Sequence, residues 1–327
     1  PALTSAAAIL QTHLITEACL MLYLYSPDQQ DLYYQLLQAA LPDWTIACWP
    51  QEVNAEAVTH VVAWKPPVDF FHRFPNLQVI FTLGAGVDKF LQRNDIPEDV
   101  TIIRLTDAGM AQQMTEYALY GLLHYQRQMD IYQRQQRAGI WQPQPTRLAK
   151  NTRVTILGLG QLGMQVAQNL AHLGYPVSGW SRQPREIENV RCVHGCAALD
   201  SLLPETDVLF SVLPATTETT HLLNAERLAL LPKNAAIINA GRGSLIDQDA
   251  LLTLLNQQHL RFVLLDVFAE EPLPAQHPFW NHPSVLITPH IAADTIPEES
   301  VKQITENIQI LASGLPVPGM VDKQRGY

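Results

Sequence analysis

The sequence predicts an α/β protein with two doubly wound parallel-sheet domains. Apolar runs of strand length alternate with segments of helical periodicity along most of the chain. The 327 residues are enough for two domains, and a glycine-rich turn lies near the middle. The chain is 47% hydrophobic and 16% charged, which is typical of a globular protein. Its formal net charge of −10, without a basic stripe, argues against binding of nucleic acid.

The stretch before the first strand, residues 1–18, is predicted to form a short helix or a tail. Polar residues at His13, Thr16 and Glu17 interrupt it, and no Lys or Arg precedes it, so it resembles neither a signal peptide nor a membrane span. We therefore expect a cytoplasmic protein without membrane contact. The spacing of Cys192 and Cys196 around His194 is not a usual zinc arrangement, so we expect a surface strand and loop there and no metal site.

The first third of the chain is predicted to form a sheet of parallel strands. A helical pattern over Asp28–Ala40 separates the first two strands, with apolar positions at Leu32, Leu36 and Leu37. The predicted strands are Leu20–Tyr25, Thr45–Trp49, His60–Trp64, Gln78–Thr82 and Thr101–Leu105. A single long helix is then predicted over Gln112–Arg137, ending before Gly139, and it is long enough to bridge two domains or to contact a second subunit.

The second half repeats the alternation of strands and helices. A helix over Gln248–Gln258 has Asp247 as a suitable N-cap, and a last helix over Pro297–Ser313 ends at Gly314. The predicted strands are Val154–Leu157, Val177–Trp180, Val208–Leu213, Ala236–Asn239, Phe262–Asp266 and Val285–Thr288. We expect the last helix to return to the first domain. That domain would then comprise residues 1–115 and 297–327, with residues 116–296 inserted between them.

The glycine-rich turn indicates what the inserted domain binds. Gly158, Gly160 and Gly163 follow an apolar strand and precede a helical pattern, the context in which this spacing binds a dinucleotide. The helix start, with Gln161 and Leu162, offers N–H groups and a positive dipole end to a pyrophosphate. The insert is therefore predicted to be a Rossmann cofactor domain, within a flavodoxin-like substrate domain.

Three residues that could carry chemistry follow three of the predicted strands. Arg242, Glu271 and His290 all come after strand ends, on the rim where open α/β sheets bind ligands. An arginine can bind a carboxylate through two hydrogen bonds, and a histidine can donate a proton while an adjacent carboxylate orients it. The alternatives are a helix-capping surface arginine, a solvated loop glutamate and a loop histidine with local partners. Their joint position favours hydride transfer to a 2-keto acid.

The end of the second strand of the inserted domain indicates the cofactor. NAD sites usually place an acid there, whereas this chain has Ser181 and Arg182. A guanidinium would pair with a 2′-phosphate, so we expect NADPH to be preferred and NADH to work less well. The alternative is that Arg182 points to solvent and the cofactors are not distinguished.

Two features of the first domain are predicted to shape the substrate pocket. The segment Leu83–Asp88 follows a strand, and backbone N–H groups around Ala85 and Gly86 could converge on an anion. Trp64 lies at the end of another predicted strand and could wall a small pocket. The alternatives are an ordinary tight turn and a core aromatic side chain.

Several ordered motifs together resemble one family, the D-isomer-specific 2-hydroxyacid dehydrogenases. The motifs are Gly84–Asp88, Gly158–Gly163, Trp180–Arg182, Pro214–Thr220, Asn239–Gly243, Leu265–Phe268 with Glu271–Leu273, Thr288–His290 and Arg325–Tyr327. The family resemblance runs from about Leu20 to the C-terminus. Three of the motifs, Gly84–Asp88, Trp180–Arg182 and Arg325–Tyr327, look most like the glyoxylate/hydroxypyruvate reductase A branch. The resemblance implies that Arg242 binds substrate, that Glu271 partners His290, and that His290 is the acid/base. It also implies a homodimer built largely around the cofactor domains.

The resemblance extends the list of residues expected to line the ligands. Those expected along the cofactor, beyond the glycine turn, Ser181 and Arg182, are Leu213, Pro214, Thr219, Ala240, Arg242, Asp266 and His290. The expected reaction is NADPH-dependent reduction of glyoxylate to glycolate and of hydroxypyruvate to D-glycerate. The residues alone argue only for a short acid. Two alternatives stay open, an NAD(P)H-sensing, corepressor-like binding protein on the same fold and a dehydrogenase for a different 2-hydroxy acid.

Overall fold

A computed structural model describes residues 20–326, and the predicted N-terminal helix or tail lies outside them. The first sheet is fully parallel and has the strand order β2-β1-β3-β4-β5. Its strands are β1 (Met21–Tyr25), β2 (Thr45–Cys48), β3 (Val58–Ala63), β4 (Val79–Thr82) and β5 (Thr101–Ile103). This is the order of flavodoxin-like sheets, so the predicted class of the first domain is confirmed.

The second sheet is also fully parallel, with the order β12-β11-β10-β9-β6-β7-β8. Its strands are β6 (Val154–Leu157), β7 (Val177–Ser181), β8 (Arg191–His194), β9 (Val208–Ser211), β10 (Ala236–Asn239), β11 (Phe262–Leu265) and β12 (Val285–Ile287). The order reverses at β6, as in a Rossmann sheet, and the crevice there is the expected ligand site. The central strands β6, β9, β10 and β11 are buried on both faces, which explains their largely apolar sequences.

Nine helices are described within residues 20–326, and most cover the faces of the two sheets. They are α1 (Gln30–Ala40), α2 (Asp88–Leu91), α3 (Met110–Gln126), α4 (Met129–Ala138), α5 (Gln161–His172), α6 (Cys196–Leu202), α7 (Ala225–Leu230), α8 (Gln248–Asn256) and α9 (Pro297–Ala312). Asp247 caps α8 as predicted, since its carboxylate accepts a hydrogen bond from the Ala250 N–H at 3.0 Å. No helix in this part of the chain is both long and apolar enough to cross a membrane.

The prediction of one long helix over Gln112–Arg137 is wrong, because the chain turns between α3 and α4. Gln128 adopts a left-handed conformation with φ of 58°. Arg261 causes the break by donating to the Tyr125 carbonyl at 2.8 Å and pairing with the buried Asp130 at 2.6 Å. These contacts engage a carbonyl that a continuous helix would use and fix the start of α4.

The last helix packs against the first sheet, although the strands that precede it in the sequence belong to the second sheet. Helix α9 lies against α1, and its Val301, Ile304 and Ile308 share a core with strands of the first sheet. Helix α3 instead packs on α5 and joins the core of the second sheet. The division at residues 115/116 and 296/297 stays a prediction.

Candidate active site

The glycine turn has the geometry that close approach of a phosphate requires. Gly158 has φ of 101°, where a side chain would be strained. A Cβ on Gly163 would lie 1.8 Å from the Gly158 carbonyl oxygen, so helix and turn pack through bare backbone. A Cβ on Gly160 would meet nothing within 4 Å. Gly160 is also the N-cap of α5 and has no side chain to engage the first N–H groups. The turn therefore fits a pyrophosphate.

His290 and Glu271 form a hydrogen-bonded pair at the ends of adjacent strands. The His290 Nδ1 and Glu271 Oε2 atoms are 2.8 Å apart, and Glu271 Oε1 accepts from the Phe268 N–H at 3.0 Å. Burial alone would raise the pKa of Glu271, but these hydrogen bonds and the charges of His290 and Arg242 hold it below its ordinary value. The ionised carboxylate only accepts, so Nδ1 donates and Nε2 is the nitrogen that can exchange a proton.

Buried polar groups hold the loop that carries His290. The Asp266 carboxylate accepts from the N–H groups of Ile291 and Ala292 at 2.8 and 2.9 Å and from the Thr288 hydroxyl at 2.6 Å. The Tyr117 hydroxyl of α3 lies 2.6 Å from Thr288 Oγ1. His290 itself has φ of 59°, an unusual conformation for a side chain other than glycine, and this network sustains it. The predicted contact of Asp266 with cofactor stays a prediction, since its carboxylate is turned to this loop.

Arg242 follows β10 and reaches across to the first sheet. Its Nε and Nη2 donate to Asp88 Oδ1 at 3.1 and 2.9 Å, and its Nη1 donates to the Gly241 carbonyl at 2.8 Å. A Cβ on Gly86 would lie 1.7 Å from Arg242 Nη2. The structure thus brings the predicted arginine against the predicted anion-binding segment.

Trp64 also lies on this side of the first domain. A Cβ on Gly84 would be 2.4 Å from its ring, so the indole packs on the bare backbone of the segment Leu83–Asp88. The Lys65 Nζ lies 5.4 Å from the centroid of the same ring. Trp64 is partly buried and packs against both cores of the first domain. The packing supports a fixed wall, and contact with substrate stays a prediction.

Arg182 lies away from these residues, after β7, which is separated from β10 by β6 and β9. Its Nη1 forms an ion pair with Glu218 Oε2 at 2.8 Å. The Ser181 hydroxyl donates to the Gln183 carbonyl at 2.7 Å. Arg182 is therefore not simply turned to solvent, and Glu218 is a partner that the sequence interpretation did not assign.

The other predicted cofactor contacts lie on the loops after β9 and β10. The Thr219 hydroxyl donates to the Pro214 carbonyl at 2.6 Å, and the Thr216 N–H donates to Thr219 Oγ1 at 2.8 Å, which ties this loop together. A Cβ on Gly241 would lie 2.6 Å from the Leu213 carbonyl oxygen. Ala240 is buried beside them. The first loop follows β9, which pairs with β6, the strand before the glycine turn, and the second loop follows β10, which pairs with β9.

Two carboxylates of this region, Asp88 and Glu218, escaped the sequence interpretation. Both lie inside motifs quoted above, Gly84–Asp88 and Pro214–Thr220, but those motifs predict no role for either carboxylate. The sequence signal that could have indicated them is their negative charge, because a partly buried arginine often pairs with a carboxylate. Their distance in sequence, 154 residues between Asp88 and Arg242 and 36 between Arg182 and Glu218, hides the pairing.

Comparison with known proteins agrees with this geometry. The profile of the D-isomer specific 2-hydroxyacid dehydrogenase family, NAD binding domain, matches residues 119–292, more than half of the chain. This chain belongs to that family. The predicted family is therefore confirmed, and its members are oxidoreductases.

Individual relatives are similar over nearly the whole chain. Glyoxylate/hydroxypyruvate reductase A from Yersinia enterocolitica is 40% identical over 296 residues, covering 89% of this chain and 94% of that protein. A crystal structure of a D-isomer specific 2-hydroxyacid dehydrogenase from Xanthobacter autotrophicus Py2, in complex with NADPH and MES, has a TM-score of 0.91. It is 42% identical, and the match covers 94% of this chain and 99% of that one.

A second solved relative is an NADPH-dependent glyoxylate/hydroxypyruvate reductase from Sinorhizobium meliloti, in complex with NADP and sulfate. Its TM-score is 0.87 at 33% identity, with 94% of this chain and 100% of that chain covered. Sequence and fold thus place this dehydrogenase beside relatives that bind NADPH or NADP.

Proposed function

We propose that this dehydrogenase reduces short 2-keto acids with NADPH, converting glyoxylate to glycolate and hydroxypyruvate to D-glycerate. The observation that carries the proposal is the His290–Glu271 pair, which shares one rim of the second sheet with Arg242 and the glycine turn. This arrangement supplies a proton donor and a carboxylate-binding group beside a dinucleotide site. Relatives about 40% identical carry the name glyoxylate/hydroxypyruvate reductase A.

In this proposal the two domains bind the substrate between them. Arg242 binds the substrate carboxylate and polarises the adjacent carbonyl, and the N–H groups around Ala85 and Gly86 hold the same carboxylate. Trp64 walls the pocket and keeps it small. The close approach of Gly86 to the guanidinium supports this shared site.

His290 donates the proton that the reduced carbonyl oxygen requires. The Glu271 carboxylate stabilises the imidazolium and orients the ring, so that Nε2 faces the developing alkoxide. When bound, the reduced nicotinamide supplies the hydride to C2 of the acid. The network of Asp266 and Thr288 keeps the His290 loop in place during the reaction.

The glycine turn and the loops beside it hold the cofactor. Gly158, Gly160, Gln161, Leu162 and Gly163 would receive the pyrophosphate at the start of α5. Ser181 and Arg182 would receive the 2′-phosphate, which a carboxylate at that position would repel. Contacts along the rest of the cofactor are proposed for Leu213, Pro214, Thr219, Ala240 and Asp266.

The proposal is tested by following NADPH oxidation with glyoxylate, hydroxypyruvate and pyruvate in parallel, and repeating each assay with NADH. We expect rapid oxidation with a two- or three-carbon acid and lower efficiency with NADH. Tight NADPH binding without oxidation by any acid would favour the cofactor-sensing alternative. Oxidation only with a larger 2-keto acid would favour a different dehydrogenase of the family.

We also propose that the protein is a cytoplasmic homodimer. Large apolar side chains are exposed where the arm after α4 begins, with Trp141 99% exposed and Ile140 52% exposed, and Tyr120 of α3 is 51% exposed. The arm, residues 139–148, contacts the segment between α3 and α4. The Gln128 side chain donates to the Pro145 carbonyl, and the Gln126 side chain donates to the Arg147 carbonyl. A second copy of the chain would cover this surface. Light scattering should give the mass of a dimer, and Trp141→Glu should shift it toward a monomer; a monomeric wild type would refute the dimer.

A further inference from the structure

The guanidinium of Arg242 donates three hydrogen bonds to other groups of the protein, in addition to those that it would donate to a substrate. Asp88 Oδ1 engages Nε and Nη2, and the Gly241 carbonyl engages Nη1. A guanidinium carries five N–H groups, so these three bonds, within residues 20–326, leave one N–H on each Nη atom. The two N–H groups that remain, one on each Nη atom, are available to the two oxygens of a carboxylate.

The pair joins the two sheets across the proposed cleft. Asp88 is the first residue of α2, in the segment that follows β4 of the first sheet, whereas Arg242 follows β10 of the second. Their side chains are 21% and 26% exposed, which limits but does not remove screening by water. Gly86 leaves the space that the guanidinium occupies, since a Cβ there would lie 2.9 Å from Cζ.

We propose that Asp88 is a positioning residue for the reduction, which fixes the Arg242 guanidinium so that its two remaining N–H groups face the substrate carboxylate. The inference rests on the proposed function. An arginine side chain without such a partner samples several rotamers, and ordering it when substrate binds costs conformational entropy. Because Arg242 is hydrogen-bonded to Asp88 in the folded protein, its side chain is already ordered before substrate binds. Asp88 then keeps the guanidinium aligned in the transition state.

One detail of the contact separates geometry from charge. Only Oδ1 of Asp88 accepts from Arg242, and an asparagine amide oxygen can accept the same two hydrogen bonds. Asp88→Asn therefore keeps the hydrogen bonds and removes the charge, whereas Asp88→Ala removes both. A positioning role predicts that the two variants differ, and a purely electrostatic role predicts that they behave alike.

The matched control is another arginine–aspartate pair outside the cleft. Asp207 accepts from Arg153 Nη2 at 2.9 Å and is 20% exposed, close to the value for Asp88. It precedes β9 and so lies at the opposite end of the second sheet from the strand ends that carry Arg242 and His290. Asp207→Ala measures what the loss of such an ion pair does through stability alone.

The test measures kcat and KM for glyoxylate, and the NADPH dissociation constant, in the wild type and the three variants. We expect kcat/KM for glyoxylate to fall roughly 10- to 100-fold in Asp88→Ala, the size of the loss of charge-assisted hydrogen bonds. Asp88→Asn should retain at least about a third of the wild-type value, and Asp207→Ala should match the wild type. NADPH affinity should stay within about twofold in all of them. Equal losses in Asp88→Ala and Asp88→Asn, or no loss in Asp88→Ala, would overturn the inference.

Crystal structures of the Asp88 variants give a readout that does not depend on turnover. The guanidinium of Arg242 should keep its position in Asp88→Asn and leave it, or become disordered, in Asp88→Ala. An unchanged guanidinium in Asp88→Ala contradicts the positioning role even if the activity falls. If the wild type reduces no short 2-keto acid, the proposed function fails, and these structures still decide whether Asp88 fixes Arg242.

Discussion

Two arginines of the second domain, each paired with a carboxylate, have different surroundings. Arg242 and Asp88 are 26% and 21% exposed and share two hydrogen bonds between the sheets, whereas Arg182 and Glu218 are 38% and 67% exposed and share one. A partly buried pair that shares two hydrogen bonds holds its geometry, whereas an exposed ion pair contributes little to stability and can be displaced by a ligand of higher charge. The difference fits a fixed guanidinium at the proposed substrate site and an exchangeable one at the proposed 2′-phosphate site.

The largest effect is expected at the substrate end, from His290→Ala. Loss of the proton donor should lower kcat for glyoxylate reduction by about 10²- to 10⁴-fold, because the proton is needed in the transition state. The dissociation constant for NADPH should change little. Steady-state kinetics and cofactor fluorescence check the two values, and a kcat within tenfold of the wild type contradicts the role given to His290.

Arg242→Ala should damage both binding and turnover. The variant loses two charge-assisted hydrogen bonds to the substrate carboxylate, so we expect kcat/KM to fall roughly 100-fold or more. Arg242→Lys is the informative control, since it keeps the charge but not the planar fork. Near-normal efficiency in Arg242→Lys would show that charge alone suffices, which removes the reason for a fixed guanidinium.

Arg182→Ala should act at the other end and change cofactor choice. The variant loses the ion that would pair with the 2′-phosphate, so kcat/KM for NADPH should fall about 10- to 100-fold with little change for NADH. The ratio of the two efficiencies, measured with glyoxylate saturating, reports the effect. A ratio unchanged from the wild type means that Arg182 does not bind the phosphate.

Glu218→Gln should have a smaller effect in the opposite direction. If Arg182 binds the 2′-phosphate as proposed, Glu218 competes with it for the guanidinium, and an exposed ion pair contributes less than about 1 kcal/mol. The KM for NADPH should therefore fall by about two- to fivefold, and the KM for NADH should not. A rise in the KM for NADPH would instead mean that Glu218 positions Arg182 for the phosphate. The Arg182–Glu218 pair would then act in the same way as the Arg242–Asp88 pair.

The smallest expected effect is the pH dependence of stability in Glu271→Gln. The folded protein holds the pKa of Glu271 below its ordinary value of 4.5. The carboxylate therefore contributes stability that is present above pH 4.5 and is lost as the pH falls through the lower pKa of the folded state. Urea unfolding of both proteins should show a difference that is fully present just above pH 4.5 and shrinks below it. A difference independent of pH would rule out this contribution.

The same two pairs show what the sequence could and could not predict. The strand ends that carry Arg242, Glu271 and His290 follow from local alternation of apolar runs and from the rule that ligands bind beyond the strand ends. The partners Asp88 and Glu218 depend on which loops meet after folding, and no local pattern encodes that. The break between α3 and α4 has the same origin, because the Arg261 that causes it lies 131 residues from Asp130.

The most direct measurement of the central claim is the product formed from hydroxypyruvate and NADPH by the wild-type protein. Chiral analysis of the glycerate, together with the amount of NADPH consumed, should give one D-glycerate for each NADPH oxidised. NADPH that binds tightly without being oxidised would contradict the assignment of this site as a reductase, and L-glycerate as the product would contradict its assignment to the reduction that forms the D-isomer.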